Sequence, residues 1–321
     1  MGKISVAKTR RAVSLLCMRL YLFALLFSAA AAVAAQFDLQ TNIAKARNGD
    51  PEALNALGEF YADGDGGKFA PNFKLAVDFW RKAAKAGNAK AFTNLGMSYY
   101  SGNGVERNVP TAVEFWNEGA KGGDAVAQYM LGNAYCQGIS VMPDMPTAAF
   151  WWEKAAEQGN MRAQCNLAFA YAKGQGVRKR DPKKAFELWK KSAEQGYDIA
   201  QVYLALCYYT GDGVEKDLKK AVAIWHSAAE IEGNTDALYY LGVVYVSGDG
   251  APKNIPQAYR YFLTAASRGH TQAKAEVEKL RVAYGDKALA DAARAQIKAM
   301  EEADKPSATP PKETQSKSTL K

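Results

Sequence analysis

The sequence is short of the residues on which most catalytic and metal centres depend. It holds two histidines and four cysteines in 321 residues. His226 and His270 have no second His or Cys at ligand spacing, so no zinc-type cluster is expected. A Cys–His nucleophile would have to bring Cys165 or Cys207 onto His226, and both cysteines sit among apolar residues of helical segments. Cys136, Cys165 and Cys207 are an odd set, which excludes a fully paired disulfide framework. They read as small apolar fillers. No pair of carboxylates stands out as an acid–base couple. Asp63–Gly67 (DGDGG) begins like a calcium loop but lacks its third acidic position and its closing Glu. No catalytic residue, cofactor or metal is expected.

The body of the chain also lacks surplus charge. The formal net charge is +8. Lys3, Lys8, Arg10, Arg11 and Arg19 fall in a leading segment without acids, and removing them leaves 36 basic against 33 acidic residues. The stretch from Ala303 adds Lys305, Lys312, Lys317 and Lys321 against Asp304 and Glu313. What lies between is near neutral. A basic stripe for nucleic acid is therefore not expected.

Long apolar runs are absent beyond residue 35. The one present, LYLFALLFSAAAAVAA (Leu20–Ala35), follows a basic stretch and ends in small residues. That is the three-part form of a secretory signal peptide, with cleavage after Ala34 or Ala35. The competing reading is an uncleaved membrane anchor, for which the run is barely long enough. The expected location is the periplasm of a Gram-negative bacterium, with secretion or retention on the anchor as alternatives. The polar segment from 303 to 321, rich in Pro, Ser, Thr and Lys, is expected to be disordered.

What is present is repetition. A Gly followed four residues later by Ala recurs at Gly49, Gly87, Gly123, Gly159, Gly196, Gly233 and Gly269, in steps of 36 to 38 residues. Four residues after each Ala stands Leu: Leu57, Leu95, Leu131, Leu167, Leu204 and Leu241. A Gly or Ala follows that Leu directly, and a Tyr comes three residues later. Ala, Leu and Tyr at spacing four and four form one helix face. The tiny residue implies close approach of a second helix, because Gly in a helix otherwise costs about 1 kcal/mol.

A turn then leads to a second helix. Asn72, Asn108, Asp144, Asp181, Asp217 and Asn254 each stand four residues before an Ala and suit an N-cap. Five of six tryptophans share one register in these helices: Trp80, Trp116, Trp152, Trp189 and Trp225, with Phe262 in the last unit. An aromatic column of this kind is the expected glue of the stack. The turns read YYSGNGV, YAKGQGV, YYTGDGV and YVSGDGA. A Gly-x-Gly can begin a phosphate loop, but such a loop is needed once at a strand end, not repeatedly between helices. The third unit departs, with GISVMPDMP (Gly138–Pro146) losing the second Gly.

Each unit is thus helix, turn, helix in about 36 residues. One hairpin cannot bury its own apolar face, and stacked copies can. The expected fold is an all-α solenoid over 36–302, with six full repeats from about 49 to 268. A leading half-unit over Phe37–Asn48 and C-terminal capping helices to about Ala303 would close it.

The pattern A-x3-L-G-x2-Y-x2-G-x-G-V, then D-x3-A-x3-W-x2-A-A-x2-G, resembles the Sel1-like repeat family, a branch of the tetratricopeptide-like solenoids. The resemblance implies a right-handed α/α superhelix used mainly for protein–protein contacts. It also implies adaptor roles in envelope assembly, signalling or host interaction. Some family members are linked to β-lactam or cell-wall chemistry, which keeps a hydrolase as the alternative function. In such units the second, sixth and ninth residues after the Ala line the concave face. Here they include Thr93, Met97, Tyr100, Tyr129, Asn133, Phe169, Leu206, Tyr209 and Tyr239. The repeat signature does not require Tyr100, Tyr129, Tyr209 or Tyr239. A strip of this composition suits a protein or peptide partner, and tight curvature that buries it is the competing reading.

Overall fold

The computed structural model describes residues 39–64, 70–231 and 233–303. The expected signal peptide and the stretch 304–321 lie outside the described residues, as does most of the Asp63–Gly67 segment. The described residues form fifteen helices and no strand. They divide into two compact units between Arg180 and Asp181.

The first unit opens with α1 (39–47). Three helix pairs follow: α2 (Pro51–Asp63) with α3 (Phe73–Lys85), α4 (Ala89–Ser101) with α5 (Val109–Lys121), and α6 (Ala125–Gln137) with α7 (Met145–Glu157). It ends with α8 (Met161–Lys173). The second unit begins with α9 (Pro182–Glu194). It continues with α10 (Asp198–Thr210) and α11 (Leu218–Ile231), then α12 (Thr235–Ser247) and α13 (Ile255–Ser267). It closes with α14 (Thr271–Tyr284) and α15 (Asp286–Ala303), which break at Gly285.

Capping sets the helix starts. All six Asn and Asp residues expected at second-helix N-caps accept a backbone N–H there. A second series was not expected: Asp50, Asn88, Asp124, Asn160 and Asn234 cap the first helices by accepting the N–H of the repeat Ala. Each directly follows the Gly that opens its unit. Asp or Asn in that place satisfies one of the orphan donors of the first turn. At the seventh start His270 does the same through Nδ1, 3.1 Å from Ala273 N. Tyr197, in the fifth, makes no side-chain cap.

The tiny residue beside Leu has a specific partner. A Cβ at Gly58, Gly96 or Gly132 would overlap the indole of Trp80, Trp116 or Trp152, and one at Gly242 the ring of Phe262. The aromatic column therefore lies flat against the first helix of its own repeat. Its rings are almost fully buried, from 6% exposed at Trp80 to 0% at Trp225. In the second unit the column also binds the next repeat, because Tyr203 stacks on Trp189 at 5.3 Å and Tyr240 on Trp225 at 4.9 Å.

The repeat Tyr also joins neighbours. Tyr61, Tyr99 and Tyr245 stack on Phe79, Phe115 and Tyr261 of their own repeats. The Tyr99 hydroxyl accepts from Arg81 of the preceding repeat at 3.1 Å. The Tyr245 hydroxyl lies 3.2 Å from His226 Nε2 in the same relation.

The Gly-x-Gly turn performs two jobs. Its first Gly ends the first helix in the left-handed region, as at Gly102 with φ 82°. Its second Gly abuts the preceding repeat: a Cβ on Gly104 would overlap the Phe73 carbonyl, and one on Gly250 the Leu218 carbonyl. In the third repeat Ser140 takes that place and keeps the turn with φ 56°, the sole non-glycine with positive φ among the described residues.

Candidate functional site

The three register positions expected to line a binding face separate by burial. The residue two after the Ala is buried at Asn55, Thr93, Cys165 and Val202, between 0% and 4% exposed. Thr93 therefore leaves the expected strip. Its hydroxyl donates to Asp124 Oδ1 at 2.7 Å and so ties α4 to the cap of α6. Tyr129 and Tyr239 hold the same register half-buried. Tyr239 stacks on His270 at 4.7 Å, within the C-terminal closure.

The sixth and ninth positions are accessible. In the first unit Met97 is 44% and Tyr100 38% exposed, and Asn133 and Phe169 are half-buried. In the second unit Leu206 and Tyr209 are half-buried. Each unit thus presents its own strip of aromatic, aliphatic and amide groups.

Polar groups fix these strips. Asn133 Oδ1 accepts from Trp152 Nε1 at 3.1 Å and from Asn166 Nδ2 at 2.9 Å. Glu59 Oε1 accepts from Asn55 Nδ2 at 3.0 Å, and Asn94 Nδ2 donates to Asn55 Oδ1 at 3.1 Å. Tyr209 donates to Asp249 Oδ2 at 2.9 Å. Burial first, then Asp249, pushes the Tyr209 phenol above its ordinary pKa.

Sequence reasoning missed one component. The Arg107 guanidinium lies 5.9 Å from the Tyr100 ring centroid and the Lys216 ammonium 6.0 Å from that of Tyr209. Both cations stand sixteen residues after the repeat Ala, a recurrence visible in the sequence. At this distance a cation over an exposed ring contributes about 0.5–1 kcal/mol and holds the ring in one orientation.

The candidates for chemistry are otherwise employed. Burial pushes the Cys207 thiol up to about 12, with Asp212 adding to it, so it stays protonated. His226 lies between the hydroxyls of Tyr245 and Tyr261, at 3.2 and 3.5 Å, rather than beside a cysteine. No group of three His, Cys, Asp or Glu among the described residues is placed to hold a metal ion. No helix among them is long and apolar enough to cross a membrane. The faces offer ring surfaces, amides and single charges, which is the equipment of a recognition surface.

Fold and faces together define an all-α repeat protein of the solenoid class, built from helix hairpins. The Sel1 repeat pattern matches residues 51–88, 89–124, 125–160, 162–197, 198–231 and 235–270, and the chain belongs to the Sel1 repeat family. It is similar to a protective antigen of uropathogenic Escherichia coli with an SLR fold, at 29% identity and TM-score 0.65. That match covers 81% of this chain and 55% of the antigen, so the chain spans little more than half of that protein's length. It is also similar to a Sel1 repeat protein of Oxalobacter formigenes, at 32% identity and TM-score 0.58, covering 68% of this chain and 85% of the other. No curated protein matches the chain.

Proposed function

We propose that the chain is an exported, non-catalytic adaptor that binds a protein or peptide partner through the first-helix faces of its repeats. The observation that carries this reading is the accessible strip at the sixth and ninth positions. Met97, Tyr100 and Tyr209 fill these places, Met97 and Tyr100 exposed and Tyr209 half-buried, and the repeat signature requires neither tyrosine. Membership of the Sel1 repeat family supports an interaction role. The basic-then-apolar segment ahead of residue 36 supports export, and the chain's similarity to a protective antigen of E. coli agrees with it.

The test replaces Tyr100 and Tyr209, singly and together, with Glu. Crosslinking and pull-down in the native host should recover a partner with the wild type and lose it with the double variant. The helical circular-dichroism spectrum should stay unchanged. Undiminished capture overturns the assignment of the faces. Turnover of β-lactams or muropeptides by the purified protein overturns the non-catalytic reading. Cell fractionation checks export.

A further inference from the structure

The first-helix face of the first unit is electrically polarised along the stack. α2 carries Glu52, Glu59 and Asp63 and no cation. α4 carries Lys90 alone, and α6 carries no charge. α8 carries Arg162 and Lys173 and no acid. These charges share one helical stripe, because residues seven and eleven apart point the same way on a helix. The stripe begins one residue before the repeat Ala and passes through the sixth position after it. On α2 it reads Glu52, Glu59, Asp63, and on α4 Lys90, Met97, Ser101. On α6 it reads Val126, Asn133, Gln137, and on α8 Arg162, Phe169, Lys173. All of these are exposed except Asn133 and Phe169, which are half-buried.

The end charges are available to a partner. Glu59, Asp63, Arg162 and Lys173 form no ion pair among the described residues. Glu59 is held in place through Oε1, which accepts from Asn55 Nδ2 at 3.0 Å and from Asn94 Nδ2 at 3.4 Å. In the turn after α4, Glu106 and Arg107 are adjacent and cancel. Between the ends lie the exposed apolar groups of Met97 and Tyr100. Amide groups lie there too. Asn94 and Asn166 spend their Nδ2 groups on Asn55 and Asn133, which leaves their Oδ1 atoms as acceptors, and Asn133 keeps Nδ2 as a donor. An extended main chain has free N–H and C=O groups to meet them, whereas a helix has already paired its own.

We propose that this face takes an extended segment of a partner protein with Lys or Arg at the end over α2 and Asp or Glu at the end over α8. Apolar side chains between them rest on Met97, Tyr100 and Phe169. Four first helices at 8–10 Å spacing span about 30 Å, the reach of about nine extended residues. This names the partner class of the surface assigned above and rests on that assignment.

The test measures fluorescence anisotropy of a labelled peptide of about nine residues with the full-length protein. The peptide has two lysines at one end, two glutamates at the other and alternating Leu and Ser between. Its counterpart has Gln at the four charged places. The charged peptide should bind roughly eightfold more tightly, from three exposed ion pairs at about twofold each. That advantage should vanish in ~1 M salt, where screening acts within about 3 Å. A nitroxide on the lysine end should broaden the NMR signals of α2 and spare those of α8. In the protein with Glu59→Lys, Asp63→Lys and Lys173→Glu, all at exposed places, it should broaden α8 instead. Equal binding of the two peptides overturns the inference, and so does equal broadening at both ends or a helical bound peptide. Absence of measurable binding overturns it as well. A dimer in sedimentation that Lys173→Glu dissociates would place a second copy on the face and overturn it too. Tyr100→Glu separates this failure from that of the face. If it abolishes binding of both peptides when they bind equally, the face stands and only the polarity falls. If it leaves the binding unchanged, the face assignment falls.

Discussion

The two units solve the same packing problem with different chemistry. Three residues after the repeat Ala, the first unit has Asn94 and Asn166, and the second has Tyr203 and Tyr240. The asparagines reach back to the preceding repeat by hydrogen bonds to Asn55 and Asn133. The tyrosines reach back by stacking on Trp189 and Trp225. The scaffold that holds both is the same: a tiny residue under a buried ring, and a capped helix on each side of the turn. The repeat therefore dictates geometry at Gly, Ala, Leu and Trp, and leaves this position free to be polar or aromatic. Burying rings removes apolar area from water, whereas exchanging one amide hydrogen bond for another gains little net free energy.

The largest expected effect tests the shared scaffold. Trp225 is 0% exposed, packs against Tyr209 and Tyr240, and donates from Nε1 to the Val202 carbonyl at 3.3 Å. Trp225→Ala should cost about 3–5 kcal/mol, the range for a large buried aromatic. Urea unfolding measures it, and a loss below ~1 kcal/mol would remove the column from the core. Next comes the contrast itself. Tyr240→Asn should cost about 2–3 kcal/mol from lost burial and stacking, and Asn166→Leu about 1 kcal/mol from one lost hydrogen bond. Equal costs would show that the two units do not differ energetically at this position.

A gain of about 1 kcal/mol is expected from Met97→Asn, the size of one hydrogen bond to a buried donor. Trp116 Nε1 is buried without a partner, whereas Trp152 Nε1 donates to Asn133, which holds the register place of Met97 one repeat later. Met97 is 44% exposed, so little burial is lost. A downfield indole proton and a higher urea midpoint would report the new bond, and an unchanged midpoint would mean that the indole is already solvated. Ser140→Gly should add about 0.5 kcal/mol, because relief of a left-handed non-glycine outweighs the entropy that glycine brings to the unfolded chain.

The repeat length, the hairpin, the second-helix caps and the buried aromatic column were all legible in the sequence, because each leaves a residue type at fixed spacing. The first-helix caps were equally visible as the Asp or Asn that follows five of the seven opening glycines, a position that an alignment on Gly and Ala passes over. The role of the second turn Gly was not legible. It faces the backbone of the preceding repeat, and close approach of main chain leaves no side-chain signature there. The accessibility of the sixth and ninth positions follows from helical phase, whereas Thr93, expected beside them, is buried. Helical phase places the second position near the face, and only the packing of the adjacent helix decides that it is covered.

The smallest predicted effect compares one contact that recurs inside each unit. Arg81 and His226 each follow the column tryptophan and each meet the repeat Tyr hydroxyl of the next repeat. An arginine side chain keeps its charge at every working pH. His226 does not: burial lowers its pKa, and the opposing pull of Glu230 is the weaker cause. The folded state thus binds this proton less readily than the unfolded chain, whose histidine titrates near 6.5. Stability from this residue is complete above that pH and falls as pH drops through the lowered folded-state value. His226→Gln keeps a hydrogen-bonding group for Tyr245 and cannot titrate. Urea midpoints of wild type and variant, compared from pH 7.5 down to pH 5, should converge toward acid, with the wild type declining more steeply. Parallel curves would mean that His226 is protonated as easily in the folded repeat as in the unfolded chain, and the contact with Tyr245 would then resemble that of Arg81 rather than differ from it.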